Sequence, residues 1–266
     1  MSNIDSAKAL FSAINRDRVA EIEGLHNPDV VFSTFRGPTL RGSGAVGDWH
    51  QEFLRMYADC EYTEVEYIEQ GNVVSARATI VAKGYDWREF SQRVVEVLDF
   101  EDGGISGRRV YAMPPDVEFT KPAADQLKNA AGFRGASPAT TLRVATTFFQ
   151  SLIGGDIDTA KAYLDPRAVL VDGVYGTAVG PDNVVALIAS QPVPAFGSWR
   201  VERAVGGPKD AVVETAIAPR PRAATWVRVV DEKIVLLEVH WMLREIGFDP
   251  AVSNRERPGK QVIMPI

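Results

Sequence analysis

The sequence predicts an α+β protein of two tandem cone-shaped repeats, each a curved antiparallel sheet wrapped over three helices, packed as a pseudo-twofold pair. The first observation is a repeat: LHNPDVVFSTFRG at 25–37 returns as LDPRAVLVDGVYG at 164–176. The second is that each half orders its elements as helix, helix, strand, helix and several strands. The third is that ARATIVA and KIVLLEVHWML are nearly continuous in apolar residues, which is typical of strands covered on both faces.

The two copies align at a constant shift of 139 positions, which places Leu25 on Leu164 and Ser33 on Asp172. The second copy therefore carries a carboxylate where the first carries a hydroxyl. This difference predicts that chemistry is kept in the second half and that the first half is a degenerate copy. We expect a first repeat at 1–113, a linker at 114–136, a second repeat at 137–249 and a tail at 250–266.

Helix signals open both halves. In the first half, Asp5 or Ser6 is predicted to cap one helix and Asp17 the next. A third helix follows Gly42 with one apolar face, formed by Val46, Trp49, His50, Phe53, Leu54 and Tyr57.

The second half repeats these signals. Ser137 and Pro138 form an N-cap and first-turn pair, Asp156 or Asp158 caps the next helix, which Pro166 ends, and a third helix runs from Pro181 to about Ser190. In the last part of each half, apolar and polar residues alternate or apolar residues follow one another, which is typical of strands. Strands are predicted at 62–68, 72–82, 92–100, 105–112, 198–205, 211–218, 224–230 and 233–243. Aligning Ile105 with Ile234 changes the shift to 129, which predicts a connection about ten residues longer near Gly84–Ser91.

Composition excludes several functions. With 266 residues, a net charge of -6 and a pI near 5.2, the chain offers no basic stripe for nucleic acid. The single cysteine, Cys60, excludes an internal disulfide and a thiolate metal cluster. No stretch approaches the roughly 20 apolar residues of a membrane span, so we expect a cytoplasmic protein without membrane contact. The three histidines lack paired spacing and no glycine-rich phosphate loop follows a strand, so neither metal nor cofactor is expected.

The order of elements, with GGDID before the second helix and AVLVDGVYG in the first strand of the second half, resembles the nuclear transport factor 2-like superfold. Within it, the chain looks most like SnoaL-like polyketide cyclases, ketosteroid isomerases and polyether epoxide-opening cyclases. The resemblance implies that Asp172 is a general base and that Glu202 is its partner in epoxide opening. In the ketosteroid isomerases a tyrosine of the first helix and an acidic residue of the third long strand hold the oxyanion. The matching positions here are Phe148 and a position near Thr225, so this sequence departs from the isomerase pattern at both.

The predicted catalytic residues are therefore Asp172 and Glu202, with Tyr175, Tyr163 and His240 as further candidate acids. Substrate contacts are expected from the apolar and polar residues of the second cone, namely Phe148, Leu152, Tyr163, Val174, Thr225 and Trp241. Side chains alternate along the last strand, so Glu238 and His240 are predicted to lie on the face of the sheet turned away from the helices. His240 is therefore interpreted as a structural residue.

Three hypotheses follow. The first is a cofactor-independent enzyme of secondary metabolism, a polyketide-type cyclase, isomerase or epoxide hydrolase, that acts on a hydrophobic small molecule. The second is a ligand-binding or scaffolding protein without catalysis. The third is that the first repeat is the active one with a different residue set, in which His50 is a candidate. The pair of repeats forms a pseudo-dimer within one chain, and further oligomerisation is compatible with the sequence.

Overall fold

A computed structural model describes residues 2–249 apart from 85, 86, 88, 119, 132–134, 191–197, 218 and 219. The chain divides into two compact units. Of the described residues, those up to Val117 and those at 242–249 form the first unit, and those within Glu118–Trp241 form the second. The predicted tail at 250–266 lies outside the described residues.

Within the described residues, the first unit has three α-helices and six strands. They are α1 (Asn3–Ile14), α2 (Val19–Gly24), β1 (His26–Thr34), β2 (Leu40–Arg41), α3 (Ser43–Met56), β3 (Ala58–Gln70), β4 (Val73–Lys83), β5 (Glu89–Glu101) and β6 (Gly104–Ala112). The sheet order is β2, β1, β6, β5, β4, β3. It is antiparallel except for β1, which runs parallel to β6.

The second unit repeats this order after one additional helix, α4 (Lys121–Ala131), which lies in the segment predicted as a linker and packs on β7 and β12. Its other elements are α5 (Pro138–Ile153), α6 (Ile157–Ala162), β7 (Leu164–Asp172), β8 (Gly176–Val179), α7 (Pro181–Ala189), β9 (Trp199–Gly206), β10 (Asp210–Ile217), β11 (Arg222–Val230) and β12 (Lys233–Trp241). The sheet order is β8, β7, β12, β11, β10, β9, with β7 parallel to β12. The α+β prediction is confirmed.

The helix starts of the second unit are the ones predicted. The Ser137 hydroxyl accepts a hydrogen bond from the Thr140 amide, and Pro138 occupies the first turn of α5. Asp156 accepts from the Thr159 amide and caps α6. That helix ends at Ala162, whereas Pro166 lies inside β7, so the proline does not end it.

The helix starts of the first unit differ from the prediction. Ser2 caps α1 in a capping box with Asp5, so the helix begins earlier than expected and Asp5 lies in its first turn. Asp17 adopts a left-handed backbone with φ of 54°, and α2 begins after Arg18 without a side-chain cap. The aspartate is used to turn the chain between two helices, which short polar side chains tolerate.

The sequence alignment of the first strands is wrong by one residue. Ile14 and Ile153 end α1 and α5 at a shift of 139, but Val19 and Ile157 begin α2 and α6 at a shift of 138. The first unit has one more residue in this turn. The shift of 138 persists in β1 and β7, where the Gly42 amide donates to Val30 and the Gly180 amide donates to Ala168.

This correction changes the counterpart of Asp172. Thr34 pairs with Val110 in the first unit, and Asp172 pairs with Val239 in the second. Val110 on β6 and Val239 on β12 are 129 positions apart. The turns that precede these two strands are separated by the same 129 positions, so the two valines are equivalent. Thr34, and not Ser33, therefore occupies the position of Asp172. The prediction failed because a one-residue insertion in a loop is invisible in a short apolar repeat.

The extra length of the first unit also lies elsewhere than predicted. Only five positions separate β4 from β5, and four separate β10 from β11. The additional residues extend the strands, since β4 and β5 have 11 and 13 residues whereas β10 and β11 have 8 and 9.

The last described residues pack with the first unit. A 3₁₀ turn at Leu243–Ile246 follows β12, and the Arg244 amide donates to the Phe35 carbonyl. Leu243 and Phe248 are buried. Leu243 therefore does not extend the last strand as the apolar pattern predicted.

None of the described helices has the length and apolar character needed to cross a membrane.

Candidate functional site

Asp172 is the last residue of β7 and is 1 % exposed. Its Oδ1 accepts hydrogen bonds from the amides of Val174 and Tyr175 at 2.9 and 3.1 Å, which closes the turn into β8. The Trp241 indole donates to the same carboxylate, at 3.2 Å from Oδ1 and 3.1 Å from Oδ2. A buried carboxylate needs such donors, because burial without them is costly.

Sheet register brings the Trp241 indole to this carboxylate. Asp172 pairs with Val239, and Trp241 lies two residues further along β12 on the same face. The Trp241 ring packs edge-on against Tyr175 and Trp199, with centroids 5.7 and 5.9 Å apart. The carboxylate therefore lies beside a group of three aromatic rings, of which Trp241 contacts it directly. Tyr175 and Trp199 are half-buried, so both rings are partly exposed to solvent.

Burial raises the pKa of the Tyr175 phenol, and the negative charge of Asp172 raises it further. The phenol consequently keeps its proton at neutral pH and is a hydrogen-bond donor. A carboxylate and a protonated phenol are an acceptor and a donor of protons within one group of residues.

The predicted contact residues divide by position. Phe148, Leu152 and Thr225 are buried in the second unit, and Val174 is half-buried in the turn after Asp172. The Tyr163 carbonyl accepts from Ile234 at the opposite end of β7. Ile234 lies five residues before Val239, the partner of Asp172, so about 17 Å of β12 separates the Tyr163 backbone from Asp172.

Glu202 does not meet Asp172 in the structure. It lies on β9, the strand at the far end of the sheet from β7 and β8, and its side chain is 37 % exposed. Its carboxylate accepts from Arg200 at 2.7 Å in a surface ion pair. The residue also falls where the ladder between β9 and β10 is irregular, which strand alternation alone could not foresee.

His240 is fully buried, and its Nδ1 donates to the Glu238 carbonyl at 3.1 Å. A contact with the backbone of its own strand is consistent with the prediction that His240 is structural.

A second polar group lies inside the first unit, and sequence reasoning found only one of its members. Arg108 on β6 donates to both oxygens of Glu96 on β5, at 2.8 and 3.1 Å. The same guanidinium donates to Nε2 of His50 on α3 at 2.7 Å. All three side chains are fully buried.

Two tyrosines complete this interior group. Burial, followed by the charge of Glu96, raises the pKa of the Tyr62 phenol well above the usual range. Burial, followed by the charge of Glu96, raises the pKa of Tyr67 to about 12. Phe11 from α1 packs against both rings, with centroids 5.1 and 5.9 Å apart.

Both histidines of this interior are neutral. Burial lowers the pKa of His26 to about 4, and the positive charge of Arg108 contributes in the same direction. Burial and Arg108 also place the pKa of His50 well below 6.5.

The signal for this group was present in the sequence. Charged residues interrupt the apolar face of two strands, Glu96 between Val94 and Leu98 and Arg108 before Val110.

The described part of the chain holds no group of three or more His, Cys, Asp or Glu side chains arranged for a metal ion.

Comparison with known proteins identifies a domain in the first half. Residues 7–107 match the model of the SnoaL-like domain, a segment that lies in the first unit and ends within β6. No curated protein matches the chain.

Several solved structures are similar to part of the chain. A protein with a ketosteroid isomerase-like fold from Catenulispora acidiphila is 15 % identical, with 41 % of this chain and 86 % of that chain covered and a TM-score of 0.39. A provisionally named polyketide cyclase from Pseudomonas putida is 14 % identical, with 42 % and 91 % covered and a TM-score of 0.40. An NTF2-like protein of unknown function from Burkholderia pseudomallei is 20 % identical, with the same coverage and a TM-score of 0.39.

Proposed function

We propose that the protein is a cofactor-independent acid–base enzyme that acts on a hydrophobic small molecule, with Asp172 as general base. The reaction class is that of cyclases and isomerases, and the finer candidates are a polyketide-type cyclisation or the opening of an epoxide. The observation that carries the proposal is the buried Asp172 carboxylate, held by Trp241 and two turn amides beside the protonated Tyr175.

The geometry supports a division of roles. Three donors fix the orientation of the Asp172 carboxylate, so no reorganisation is needed when a substrate proton approaches. Tyr175 can then donate its phenolic proton to an oxygen that gains negative charge.

The aromatic surroundings favour an apolar substrate. Trp241, which contacts the carboxylate, packs against Tyr175 and Trp199 to form a connected set of rings. Flat ring faces bind apolar and aromatic molecules well, and they keep water from the reacting proton.

A second candidate function is ligand binding without chemistry. The observation that favours it is that the Asp172 amide contacts close a turn, a role that many purely structural aspartates have. The two functions are distinguished by proton transfer, since a binding protein does not exchange protons of its ligand with solvent.

Proton abstraction can be measured without knowing the natural substrate. The ketone 2-tetralone in deuterated water reports it, because each abstraction replaces an α-proton with deuterium and the proton NMR signal decays. We expect the wild type to accelerate this decay and Asp172→Asn to slow it by about 10²–10⁴-fold, the usual contribution of a general base. Styrene oxide hydrolysis serves as the parallel assay for epoxide opening.

Glu202→Gln is the matched control, because it removes a surface carboxylate that pairs with Arg200. It should leave both rates unchanged. Equal rates for the wild type and Asp172→Asn with both probes, or no acceleration by the wild type with either, would contradict the enzymatic proposal and favour ligand binding.

A further inference from the structure

The turn between β4 and β5 carries an exposed tryptophan with an unusual backbone conformation. Trp87 is 73 % exposed, compared with 38 % for Val179, the other exposed large apolar side chain of the described residues. Its φ is 60°, and its amide donates to the Gly84 carbonyl at 2.9 Å. A left-handed backbone is rare for a bulky residue, and a tryptophan that is both strained and exposed to water indicates a contact surface.

Three carboxylates lie at the base of this turn. Lys83, the last residue of β4, pairs with Glu89 on β5 and donates to Asp59 on β3 at 2.5 Å. Glu61 lies two residues further along β3. Glu89, Asp59 and Glu61 are exposed, and these three carboxylates outnumber the single ammonium group of Lys83. We refer to Trp87 and the three carboxylates as the Trp87 surface.

The last described residue, Asp249, is held in the unit that carries Trp87. Its carboxylate accepts from the Arg244 guanidinium at 3.1 Å, and the Arg244 amide donates to the Phe35 carbonyl at 3.2 Å. The residues that follow, 250–266, therefore begin at the first unit. We refer to them as the tail.

A short series of contacts connects the start of the tail with the Trp87 surface. Arg36 follows Phe35, and its guanidinium lies over the Tyr57 ring at 5.0 Å. Tyr57 packs against Phe90 with ring centroids 5.3 Å apart, and Phe90 stands three residues after Trp87. The tail therefore starts at the end of the first unit at which Trp87 lies.

The composition of the tail complements this surface. Three of its residues are basic and one is acidic, namely Arg255, Arg257, Lys260 and Glu256. Its net charge is +2, and since the whole chain carries -6, residues 1–249 carry -8. Residues 262–266 form an uncharged apolar run of sequence VIMPI. Basic residues beside an apolar run match a tryptophan ring that is bordered by carboxylates.

The tail is also long enough to reach this surface. Val262 lies 13 residues after Asp249, which allows a span of up to about 43 Å at about 3.3 Å per residue. A compact unit of about 125 residues has a radius of gyration of about 14 Å and a diameter of roughly 35 Å. The length of the tether therefore permits the contact.

We propose that the tail docks on the Trp87 surface, with residues 262–266 packed on the Trp87 ring and the three basic residues beside the three carboxylates. The thioether of Met264 and the branched side chain of Ile263 suit the face of an indole ring. A tethered segment has a high effective concentration, so modest contacts are enough to hold it. A second copy of the chain is a less favourable partner, because two molecules with the same net charge repel each other.

The contact can be measured in the full chain by ¹⁹F NMR, with 5-fluorotryptophan at its five tryptophans. Trp87→Phe assigns the Trp87 signal. A nitroxide is attached beside the apolar run through Gln261→Cys. The native Cys60 does not react, because it is buried and burial raises the pKa of its thiol to about 12. We expect the nitroxide to remove most of the intensity of the Trp87 signal, and ascorbate, which reduces the nitroxide, to restore it.

Two further substitutions in the labelled chain test the chemistry of the contact. Ile263→Asp adds a negative charge within the apolar run, and the matched control Val252→Asp adds the same charge to the tail before that run. We expect Ile263→Asp to restore most of the Trp87 signal and Val252→Asp to leave it broadened. Raising the ionic strength from about 0.05 to about 0.5 M should restore part of the signal, because salt screens the attraction between exposed charges. The signal of Trp226, which is fully buried, shows that each variant is folded.

Several outcomes would overturn the proposal. A Trp87 signal that the nitroxide leaves unchanged would show that the tail does not contact this surface. Equal loss of signal in the Ile263→Asp and Val252→Asp chains would show that the apolar run is not the contact. Fluorinated chains without nitroxide are also mixed with nitroxide-labelled chains that carry no fluorine. Loss of the Trp87 signal in this mixture would identify a second copy of the chain as the occupant instead of the tail.

Discussion

Trp241 donates its indole N–H to both oxygens of Asp172, although 69 positions separate the two residues in the chain. The contact joins the end of β7 to the end of β12, two strands that run parallel. It adds a side-chain donor to the two turn amides that hold the carboxylate. The pair is therefore both a structural link within the second unit and the support of the proposed general base.

Trp241→Phe should weaken this link while keeping an aromatic ring in place. Loss of a hydrogen bond to a buried charged group is expected to lower the free energy of unfolding by about 1.5–3 kcal/mol. Urea denaturation monitored by circular dichroism measures the difference. Trp199→Phe is the matched control, because Trp199 contacts the Trp241 ring and is half-buried. A loss at Trp241 no larger than that at Trp199 would show that the indole N–H does not stabilise Asp172.

The Arg108–Glu96 pair should respond differently to single and double replacement. Arg108→Leu alone leaves the Glu96 carboxylate buried without its cation, and is expected to cost about 3–5 kcal/mol. The double variant Glu96→Thr with Arg108→Leu carries the residues that the second unit has at these positions, Thr225 and Leu237. We expect it to recover a large part of that loss. A double variant as unstable as the sum of the two singles would contradict the view that the pair is not needed for folding.

The stability of the protein should fall as the pH decreases through the histidine range. The pKa of His26 is about 4 in the folded protein, below the ordinary value of 6.5 that applies when it is unfolded. The unfolded chain therefore binds the proton more tightly, so the stabilisation is complete above pH 6.5 and is lost as the pH falls toward about 4. The loss from His26 is on the order of 3 kcal/mol, and His50 changes in the same direction.

Urea denaturation of the wild type and of His26→Gln between about pH 7 and about pH 4.5 isolates this contribution. Glutamine cannot take up the proton, so the variant should show a shallower loss of stability in acid. Parallel pH profiles for the two proteins would show that His26 titrates normally in the folded state.

Gly206 should not tolerate a side chain. A Cβ at this position would lie 2.8 Å from the Leu142 Cβ and 2.9 Å from the Pro138 carbonyl oxygen, where α5 packs on β9. Gly206→Ala is expected to cost about 1–3 kcal/mol because the backbone of the helix must move. Gly24 is the last residue of α2, and a Cβ there would meet no atom of another element within 4 Å, so Gly24→Ala should be neutral or stabilising by up to about 1 kcal/mol. Thermal unfolding of the two variants compares them directly, and equal midpoints would refute the close packing.

Local signals in the sequence predicted most of the elements. The Ser137–Pro138 start of α5, the apolar face of α3 and the alternation of the strands all depend on residues a few positions apart. Short-range hydrogen bonds and side-chain periodicity determine these features, so the printed sequence is enough to find them. The same patterns identified Asp172 as a carboxylate within an apolar strand.

The partners of these residues were decided only by the tertiary structure. One additional residue between α1 and α2 makes Thr34, and not Ser33, the counterpart of Asp172. His50 meets Arg108 across 58 positions, and Glu202 turns to Arg200 on the surface instead of to Asp172. Strand register sets such contacts, and a slip of one residue sends a side chain to the opposite face of the sheet. Sequence thus identified candidate residues for chemistry, while the packed sheet determined which residues meet.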